Sequence, residues 1–302
     1  MSRLVWVPFD PAALGDLPSG VTVAQVVPSA DDLPADAAEV ELFVPAYTFA
    51  ADLTVLARMP RLRVVQTLTA GIDHVWPHLP EGVTLCNGKG IHETSTAELA
   101  LTLMLASLRG VPEFVRAQDR SEWASDWWPA LADKRVLIVG HGSIGAAVEE
   151  RLRPFEVEVV RVASRAREGV HGVEDLPRLL PDADVVVLVV PLTDATRGLV
   201  SRDFLDTMRP GALLVNVARG AVVDTDALLV ALRSGRVRAA LDVTDPEPLP
   251  PDHPLWSAPG VLISPHVGGA SSAMWPRAYR VVREQLVRFA AGEPLAHVVR
   301  RP

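Results

Sequence analysis

The sequence predicts an α/β protein whose strands form doubly wound parallel sheets. Short apolar strands alternate with helical stretches along the chain, which is the order expected for strands joined by crossover helices. The later strands are almost uninterrupted runs of valine, leucine and isoleucine, as parallel strands covered on both faces usually are. The 302 residues, 49% of them apolar, suffice for two ordinary domains or one large domain.

The first part of the chain contains four predicted strands and a long helix. The strands are expected at Leu4–Val7, Val40–Val44, Arg63–Gln66 and Val83–Cys86. The helix is expected over Ala97–Leu108, and its composition is too apolar for a helix with an exposed face. We therefore expect this helix to be buried.

Local signals mark both ends of this long helix. Ser95 and Glu98 have the spacing of a capping box, which would open the helix. Gly110 and Pro112 would end it, and a second helical piece is expected to run toward Trp123.

Three tryptophans, Trp123, Trp127 and Trp128, stand just before the next strand. We interpret them as aromatic residues buried at a domain or subunit junction, and contact with a substrate is the alternative. Together with the apolar helix they suggest a buried contact between two copies of the chain, so we expect a homodimer.

The alternation of strands and helices is clearer after Lys134. One more helix is expected from Met274 to Phe289, and it would return the chain to the first domain. We therefore predict a discontinuous first domain of residues 1–98 plus 274–302, and a second domain of residues 99–273. The strands predicted in the second part are Val136–Val139, Val157–Val162, Val185–Val190, Leu213–Val217, Ala239–Val243 and Val261–Ile263.

The charge and the cysteine content exclude several classes of protein. The net charge is −8 and the sequence pI is about 5.5, which excludes a nucleic-acid-binding protein but not a locally positive site for a small anion. Cys86 is the only cysteine, so we predict neither an internal disulfide nor a metal site. The N-terminal residues lack a signal-peptide pattern, and no apolar run is long enough for a membrane span. We therefore expect a cytoplasmic protein that does not bind membranes.

A glycine-rich turn, GHGSIG at residues 140–145, stands between a predicted strand and a predicted helix. Gly140 permits the tight turn, Gly142 lets the backbone approach a pyrophosphate, and Gly145 lets the helix pack on the strand. The first N–H groups of the helix would bind the pyrophosphate. The second domain is therefore predicted to bind a dinucleotide, while His141 has no predicted role.

The end of the next strand predicts which dinucleotide is bound. Sites for NAD usually place an acidic residue there for the ribose 2′-hydroxyl, but this chain has Ala163 followed by Ser164, Arg165 and Arg167. An arginine at this place can bind a 2′-phosphate. We predict that Ser164 and Arg165 contact the cofactor and that NADP(H) is preferred, with NAD(H) as the alternative. The competing interpretation is that these arginines are solvated surface residues.

Three chemically distinctive side chains follow successive predicted strands. Arg219 follows the strand at 213–217, Glu247 follows the strand at 239–243, and His266 follows the strand at 261–263. Open α/β sheets bind ligands at the carboxyl ends of their strands, so these side chains are expected to converge. An arginine can hold a carboxylate at two points, a histidine can supply a proton, and a carboxylate can stabilise the imidazolium. This set suits hydride transfer to a 2-oxo acid.

These residues lie in blocks that resemble the signature blocks of the D-isomer-specific 2-hydroxyacid dehydrogenase family, in the same order. The resemblance is closest to the glyoxylate and hydroxypyruvate reductases that use NADPH. It implies two domains of Rossmann-like or flavodoxin-like fold, the cofactor domain inserted in the substrate domain, with the active site in the cleft between them. The matching blocks are AGID at 70–73, TAE at 96–98, VGHGSIG at 139–145, VPLT at 190–193, NVARG at 216–220 and SPHVGG at 264–269.

The resemblance also implies a role for individual residues. Arg219 would bind the substrate, and Glu247 would pair with the acid–base His266. The backbone at Ala70 and Gly71 would receive the substrate carboxylate. The remaining cofactor contacts that it implies are the backbone of Ser143 and Ile144 at the pyrophosphate, Asp242 at the nicotinamide amide, and Pro191, Val217, Ala218 and Gly268.

The implied activity is hydride transfer between NAD(P)H and a small 2-oxo acid to give a D-2-hydroxy acid. Two departures matter: Ala163 replaces the acid of NAD-preferring members, and Glu247 stands where related formate dehydrogenases have glutamine, which argues against formate oxidation. The alternative function is a nicotinamide-sensing, corepressor-like binding protein without turnover, because the same fold serves that purpose in some relatives.

Overall fold

The computed structural model describes residues 2–48 and 50–300. The contacts between Cα atoms divide the chain into two compact units. One consists of Met1–His92 with Ser272–Pro302, and the other of Glu93–Ser271. The sequence suggested domain boundaries at 98/99 and 273/274, and these boundaries stay a prediction.

The strands and helices follow one another along the chain as the α/β prediction requires. In chain order, the strands are β1 (Arg3–Val7), β2 (Val21–Gln25), β3 (Val40–Phe43), β4 (Val64–Gln66), β5 (Thr84–Cys86), β6 (Arg135–Val139), β7 (Glu158–Ala163), β8 (His171–Gly172), β9 (Val185–Leu188), β10 (Ala212–Asn216), β11 (Val237–Leu241), β12 (Val261–Ile263) and β13 (Val298–Val299). The α-helices are α1 (Glu93–Leu108), α2 (Val111–Asp119), α3 (Ser143–Leu152), α4 (Leu176–Leu179), α5 (Arg202–Thr207), α6 (Thr225–Arg233) and α7 (Met274–Ala291).

The first unit contains a flavodoxin-like sheet. Its parallel strands run in the order β2-β1-β3-β4-β5, and the short β13 pairs antiparallel with β5. Alternate residues of β1 point to opposite faces, so Val5 and Val7 pack on the side of α7 while Trp6 packs on the other side. Helix α7 buries Val282 and Leu286, which lie one turn apart, in the first of these two clusters.

The second unit contains a Rossmann-type sheet in which every pairing is parallel. The strand order is β12-β11-β10-β9-β6-β7-β8, and it reverses between β9 and β6. Val139, Leu188, Asn216, Leu241 and Ile263 stand side by side in the register of neighbouring strands. The residues that follow these five positions therefore lie along one edge of the sheet, at the carboxyl ends of its strands. The predicted fold class of doubly wound parallel sheets is confirmed.

Helix α1 is buried, as its apolar composition predicts, and it packs against α3 and the sheet. The predicted capping box is wrong, because α1 begins at Glu93 and Ser95 therefore lies inside the helix. Ser95 is buried, and its hydroxyl bonds to that of Ser271 at 2.6 Å. The helical piece expected toward Trp123 is α2, which ends at Asp119.

The three tryptophans after α2 do not share one environment. Trp123 and Trp127 are 98% and 99% exposed, so the prediction that they are buried is wrong within a single chain. Trp128 is half-buried and packs edge-on against Phe114, with 6.0 Å between the ring centroids. Its ring occupies the space that a side chain at position 110 would need, which is why Gly110 fits there. Over the described part of the chain, none of the helices is both long enough and apolar enough to cross a bilayer.

Candidate active site

The glycine-rich turn has the geometry that a dinucleotide pyrophosphate requires. Gly140 has φ of +108°, and a Cβ there would lie 2.6 Å from the carbonyl of Val189, the residue that follows β9. A Cβ at Gly145 would lie 2.5 Å from the Gly140 oxygen, so the close packing of α3 on β6 needs a glycine. A Cβ at Gly142 would meet nothing within 4 Å, so its missing side chain leaves open space beside the backbone. This pattern fits a cofactor that approaches the turn at Gly142.

Helix α3 begins immediately after that glycine, at Ser143. The first N–H groups of an α-helix have no partner within the helix, and those of Ser143 and Ile144 belong to this set. Together with the positive end of the helix dipole, they form a site that suits a pyrophosphate. The residues present therefore fit the dinucleotide that the sequence predicts.

The loop after β7 carries the predicted determinants of cofactor choice. Ser164 and Arg165 follow Ala163 and are exposed, and within the described residues Arg165 has no hydrogen bond or ion pair. Arg167 differs, because its Nη2 donates to the carbonyl oxygen of His141 at 2.8 Å. The interpretation as a solvated surface residue fits Arg165, but it does not fit Arg167.

His141 belongs to a partly buried polar network that the sequence did not reveal. Its Nε2 lies 2.7 Å from Oε2 of Glu149 on α3, and Glu149 is only 8% exposed. Arg161 on β7 bonds the same carboxylate through Nε, at 2.7 Å, and through Nη2. Arg161 lowers the pKa of Glu149 to about 2, against the opposing effect of burial, and His141 contributes in the same direction.

Arg219 is held by the turn that follows β10. The Asn216 side chain, 1% exposed, accepts from the N–H of Ala218 and donates to the carbonyl of Arg219, both at 3.0 Å. The Arg219 guanidinium in turn donates to the carbonyl of Ala218 at 2.8 Å. Gly220 has no room for a Cβ, because its position is filled by the backbone of Thr244. The end of β10 is therefore tightly fixed.

Asp242 organises the loop that carries His266. Asp242 is only 3% exposed. Its Oδ1 accepts from the hydroxyl of Ser264 at 2.6 Å and from the N–H of Val267 at 2.9 Å. Its Oδ2 accepts from the N–H of Gly268 at 2.8 Å. The Asp242 carbonyl also accepts from the N–H of His266 at 2.7 Å. His266 has a φ of +53°, a left-handed conformation that few side chains adopt, and these bonds hold it there.

The imidazole of His266 and the carboxylate of Glu247 form a direct hydrogen bond through Nδ1 and Oε1. The two side chains are 26% and 30% exposed, so the pair lies at the surface of this sheet edge and is open to a small molecule. The structure thus brings together Glu247 and His266 as the strand-end prediction requires, and it places Arg219 after the adjacent strand β10.

The other predicted contacts are distributed over both units. Pro191 is exposed after β9, and its carbonyl accepts from the hydroxyl of Thr196 at 2.6 Å. Val217, Ala218 and Gly268 are buried at the edge just described. Ala70 and Gly71 belong to the first unit, in the loop after β4, where the Ala70 carbonyl accepts from Asn87 at 3.2 Å.

Comparison with known proteins identifies similar sequences and structures. The sequence model of one protein family, described as the NAD binding domain of D-isomer specific 2-hydroxyacid dehydrogenase, matches residues 101–268. The chain is 32% identical over 283 residues to a glyoxylate reductase from Thermofilum pendens, and the alignment covers 88% of this chain and 83% of that relative.

Two solved structures resemble the whole chain. A D-isomer specific 2-hydroxyacid dehydrogenase from Xanthobacter autotrophicus Py2, in complex with NADPH and MES, is 33% identical with a TM-score of 0.82, covering 99% of this chain and 98% of that one. An NADPH-dependent glyoxylate/hydroxypyruvate reductase from Sinorhizobium meliloti, in complex with NADP and sulfate, is 28% identical with a TM-score of 0.84 and the same coverage.

Proposed function

The chain belongs to the D-isomer specific 2-hydroxyacid dehydrogenase family and is a nicotinamide-dependent 2-oxo acid reductase, and we propose that it reduces glyoxylate or hydroxypyruvate with NADPH. The observation that carries the proposal is the set of side chains at the ends of β10, β11 and β12. They stand along the same edge of the sheet as the glycine-rich turn. The product would be glycolate, which has no stereocentre, from glyoxylate, and the D-2-hydroxy acid from hydroxypyruvate. The alternative of a sensing protein without turnover is not favoured by these relatives.

The cofactor is proposed to lie along this edge, with its pyrophosphate on the glycine-rich turn. Ser143 and Ile144 would donate backbone N–H groups, while Pro191, Val217, Ala218 and Gly268 would line the path toward the nicotinamide. When bound, the reduced cofactor supplies the hydride. Asp242 already accepts three hydrogen bonds, so we propose that its first role is to hold the loop of His266, with the nicotinamide amide as a further donor.

Arg219 is proposed to bind the substrate. A guanidinium offers parallel N–H groups that match a carboxylate at two points, and it can also polarise a neighbouring carbonyl. The bond from Arg219 to the Ala218 carbonyl orients the guanidinium before the substrate arrives. The backbone of Ala70 and Gly71 is proposed to contribute further N–H donors to the substrate carboxylate.

His266 is proposed to give the proton that the carbonyl oxygen needs as the hydride arrives. Glu247 occupies Nδ1, so the proton would be transferred from Nε2. A carboxylate next to the ring stabilises the imidazolium and fixes the orientation of the ring. Transfer of this proton to the new alkoxide forms the hydroxyl group of a 2-hydroxy carboxylate, which stays anionic, and leaves a neutral imidazole.

The preference for NADPH is proposed from the loop after β7. No acidic side chain that would repel a 2′-phosphate stands at positions 164–167, which instead hold Ser164, Arg165 and Arg167; the first acidic residue after Ala163 is Glu168. Solved relatives in complex with NADPH or NADP support this part of the proposal.

The protein is further proposed to be a homodimer. Trp123 and Trp127 are almost completely exposed in one chain, and Val111, Phe114 and Val115 on α2 are also exposed. Large aromatic residues that a single chain leaves in water are typical of contacts between proteins. A second copy of this chain is the proposed partner.

A substrate panel tests the proposed activity directly. Purified protein would be mixed with glyoxylate, hydroxypyruvate, pyruvate or 2-oxoglutarate, each with NADPH and with NADH, and the loss of absorbance of the reduced cofactor would be followed. We expect the highest kcat/KM for glyoxylate or hydroxypyruvate with NADPH. Turnover confined to larger 2-oxo acids would contradict the proposed substrate, and tight cofactor binding without turnover would contradict the enzyme role.

A further inference from the structure

Arg167 is fixed at both its backbone and its side chain. The backbone N–H groups of Arg167 and Val170 each donate to the carbonyl of the other residue, at 2.9 and 2.8 Å, and Gly169 closes this tight hairpin with φ of +69°. The guanidinium reaches back to the glycine-rich turn, where its Nη2 lies 2.8 Å from the carbonyl oxygen and 3.5 Å from Nδ1 of His141. Arg167 therefore spans the gap between the end of β7 and the phosphate-binding turn.

The contacts of His141 determine its tautomer. A guanidinium only donates hydrogen bonds, so Nδ1, which faces Arg167, must be the acceptor nitrogen of the ring. The proton then resides on Nε2, which donates to Oε2 of Glu149 at 2.7 Å. His141 thus contacts an acceptor through Nε2 and a donor through Nδ1.

Glu149 anchors this arrangement inside the fold. It is 8% exposed, and the two-point contact with Arg161 fixes its carboxylate between α3 and β7. Arg161 and Glu149 form an ion pair in which their opposite charges cancel. The exposed charged side chains that follow β7 are Arg165, Arg167 and Glu168, which together leave one net positive charge.

That remaining charge matches a phosphate monoester. A 2′-phosphate carries a charge of about −1.5 to −2 at neutral pH, whereas the ribose of NADH offers only hydroxyls at the same place. We propose that Arg167, held across the glycine-rich turn by His141, is the main residue that distinguishes NADPH from NADH, and that His141 is its positioning residue. This inference rests on the proposed preference for NADPH.

The difference between the two arginines follows from their freedom before binding. Arg165 is exposed and has no partner among the described residues, so binding would immobilise its whole side chain. Immobilising a long side chain weakens binding by about two- to tenfold. Arg167 has already lost that freedom, and no partner for its Nε and Nη1 groups is found in the part of the chain that the structure describes. Arg167 is therefore expected to contribute more than Arg165.

Calorimetric titration with two cofactor fragments separates the 2′-phosphate from the rest of the site. Adenosine 2′,5′-bisphosphate carries the 2′-phosphate, and adenosine 5′-monophosphate lacks it. We expect Arg167→Ala to weaken binding of the bisphosphate by about ten- to hundredfold, the range of a lost charge-assisted bond, while binding of the monophosphate changes less than about twofold. The matched variant Arg165→Ala should weaken the bisphosphate by less than about fivefold.

Two variants of His141 test its positioning role. His141→Phe keeps a flat ring and the backbone carbonyl that accepts from Arg167, but it removes both ring nitrogens. Because Arg167 would lose its contact with Nδ1, we expect about fivefold weaker binding of the bisphosphate and unchanged binding of the monophosphate. His141→Gln supplies one donor and one acceptor and should restore most of the loss. In steady-state assays the ratio of kcat/KM for NADPH to that for NADH should fall in His141→Phe through KM, with kcat unchanged.

Distinct results would overturn distinct claims. If the unmodified protein binds both fragments equally, the proposed preference for NADPH is wrong, and this inference is wrong with it. If the unmodified protein prefers the bisphosphate and Arg167→Ala keeps that preference, only the inference is wrong. Equal weakening of both fragments by Arg167→Ala would show that Arg167 supports the loop rather than the phosphate.

Discussion

Replacing Asp242 by asparagine tests whether this buried carboxylate holds the loop of His266. The carboxylate accepts from Ser264, Val267 and Gly268 through two oxygens, whereas an asparagine side chain has one acceptor oxygen and one N–H₂ group. In either orientation at least one backbone N–H would face another donor. Asp242→Asn keeps the size of the side chain, so the change isolates its hydrogen bonding.

The magnitude follows from the number of bonds affected. A buried backbone N–H without a partner costs about 1–3 kcal/mol, and the bonds that remain lose the strength that the negative charge gave them. We expect the free energy of unfolding to fall by about 2–4 kcal/mol. In a unit of this size that corresponds to a decrease in Tm of roughly 5–15 °C. The φ of +53° at His266 would be held by fewer bonds, so kcat should fall by about ten- to hundredfold.

The assay compares thermal unfolding without cofactor in Asp242→Asn and in a matched control, Asp224→Asn. Asp224 caps α6 by accepting from the N–H of Ala227 at 3.0 Å, and asparagine caps helices as well as aspartate does. The control should unfold at nearly the same temperature as the unmodified protein. If Asp242→Asn also does so, and loses activity only through a higher KM for the cofactor, then Asp242 contacts the nicotinamide without holding the loop.

Four further outcomes are expected. His266→Ala should lower kcat by roughly 100-fold or more with little change in cofactor affinity, and near-normal turnover would remove His266 from proton transfer. Arg219→Lys should lower kcat/KM for 2-oxo acids by at least about tenfold despite its charge, since lysine cannot make the two-point contact; unchanged kinetics would exclude that contact. Light scattering should show a dimer that the pair Trp123→Ser and Trp127→Ser weakens, and a stable monomer of the unmodified protein would refute the dimer. The folded state lowers the pKa of Glu149 to about 2, so the ionised carboxylate stabilises the fold by up to about 3 kcal/mol. This contribution is complete above about pH 5 and is lost as the pH falls toward 2. Urea unfolding should show that Glu149→Gln loses less stability with falling pH than the unmodified protein does, and an equal loss in both proteins would contradict this account.

The sequence predicted the elements whose side chains are buried on both faces. The apolar runs of β6, β9 and β10 are read directly as central strands, and the glycine-rich turn follows one of them. The strand β2 was missed because Thr22 and Gln25 are exposed, so this edge strand has no continuous apolar run. A strand of two residues such as β8 leaves no periodicity to detect.

The polar network could not be predicted because its members are joined only in three dimensions. His141 and Glu149 are eight residues apart, one in the glycine-rich turn and the other inside α3, and Arg161 enters from the neighbouring strand. A single histidine within a glycine motif carries no signal of such a partner. The exposure of Trp123 and Trp127 could not be predicted either. A tryptophan in a sequence predicts burial, but it does not indicate whether the same chain or a second chain buries it.

The two ends of the proposed cofactor site differ in how they are built, and this difference has a functional consequence. The nicotinamide end depends on backbone positions held by buried groups, as Asn216 and Asp242 each fix a turn with several hydrogen bonds. A substitution there alters stability and catalysis together. The adenosine end depends on exposed side chains of one loop, and only Arg167 is anchored, through His141. We therefore expect substitutions in that loop to change the preferred cofactor while the fold and the site of proton transfer keep their geometry.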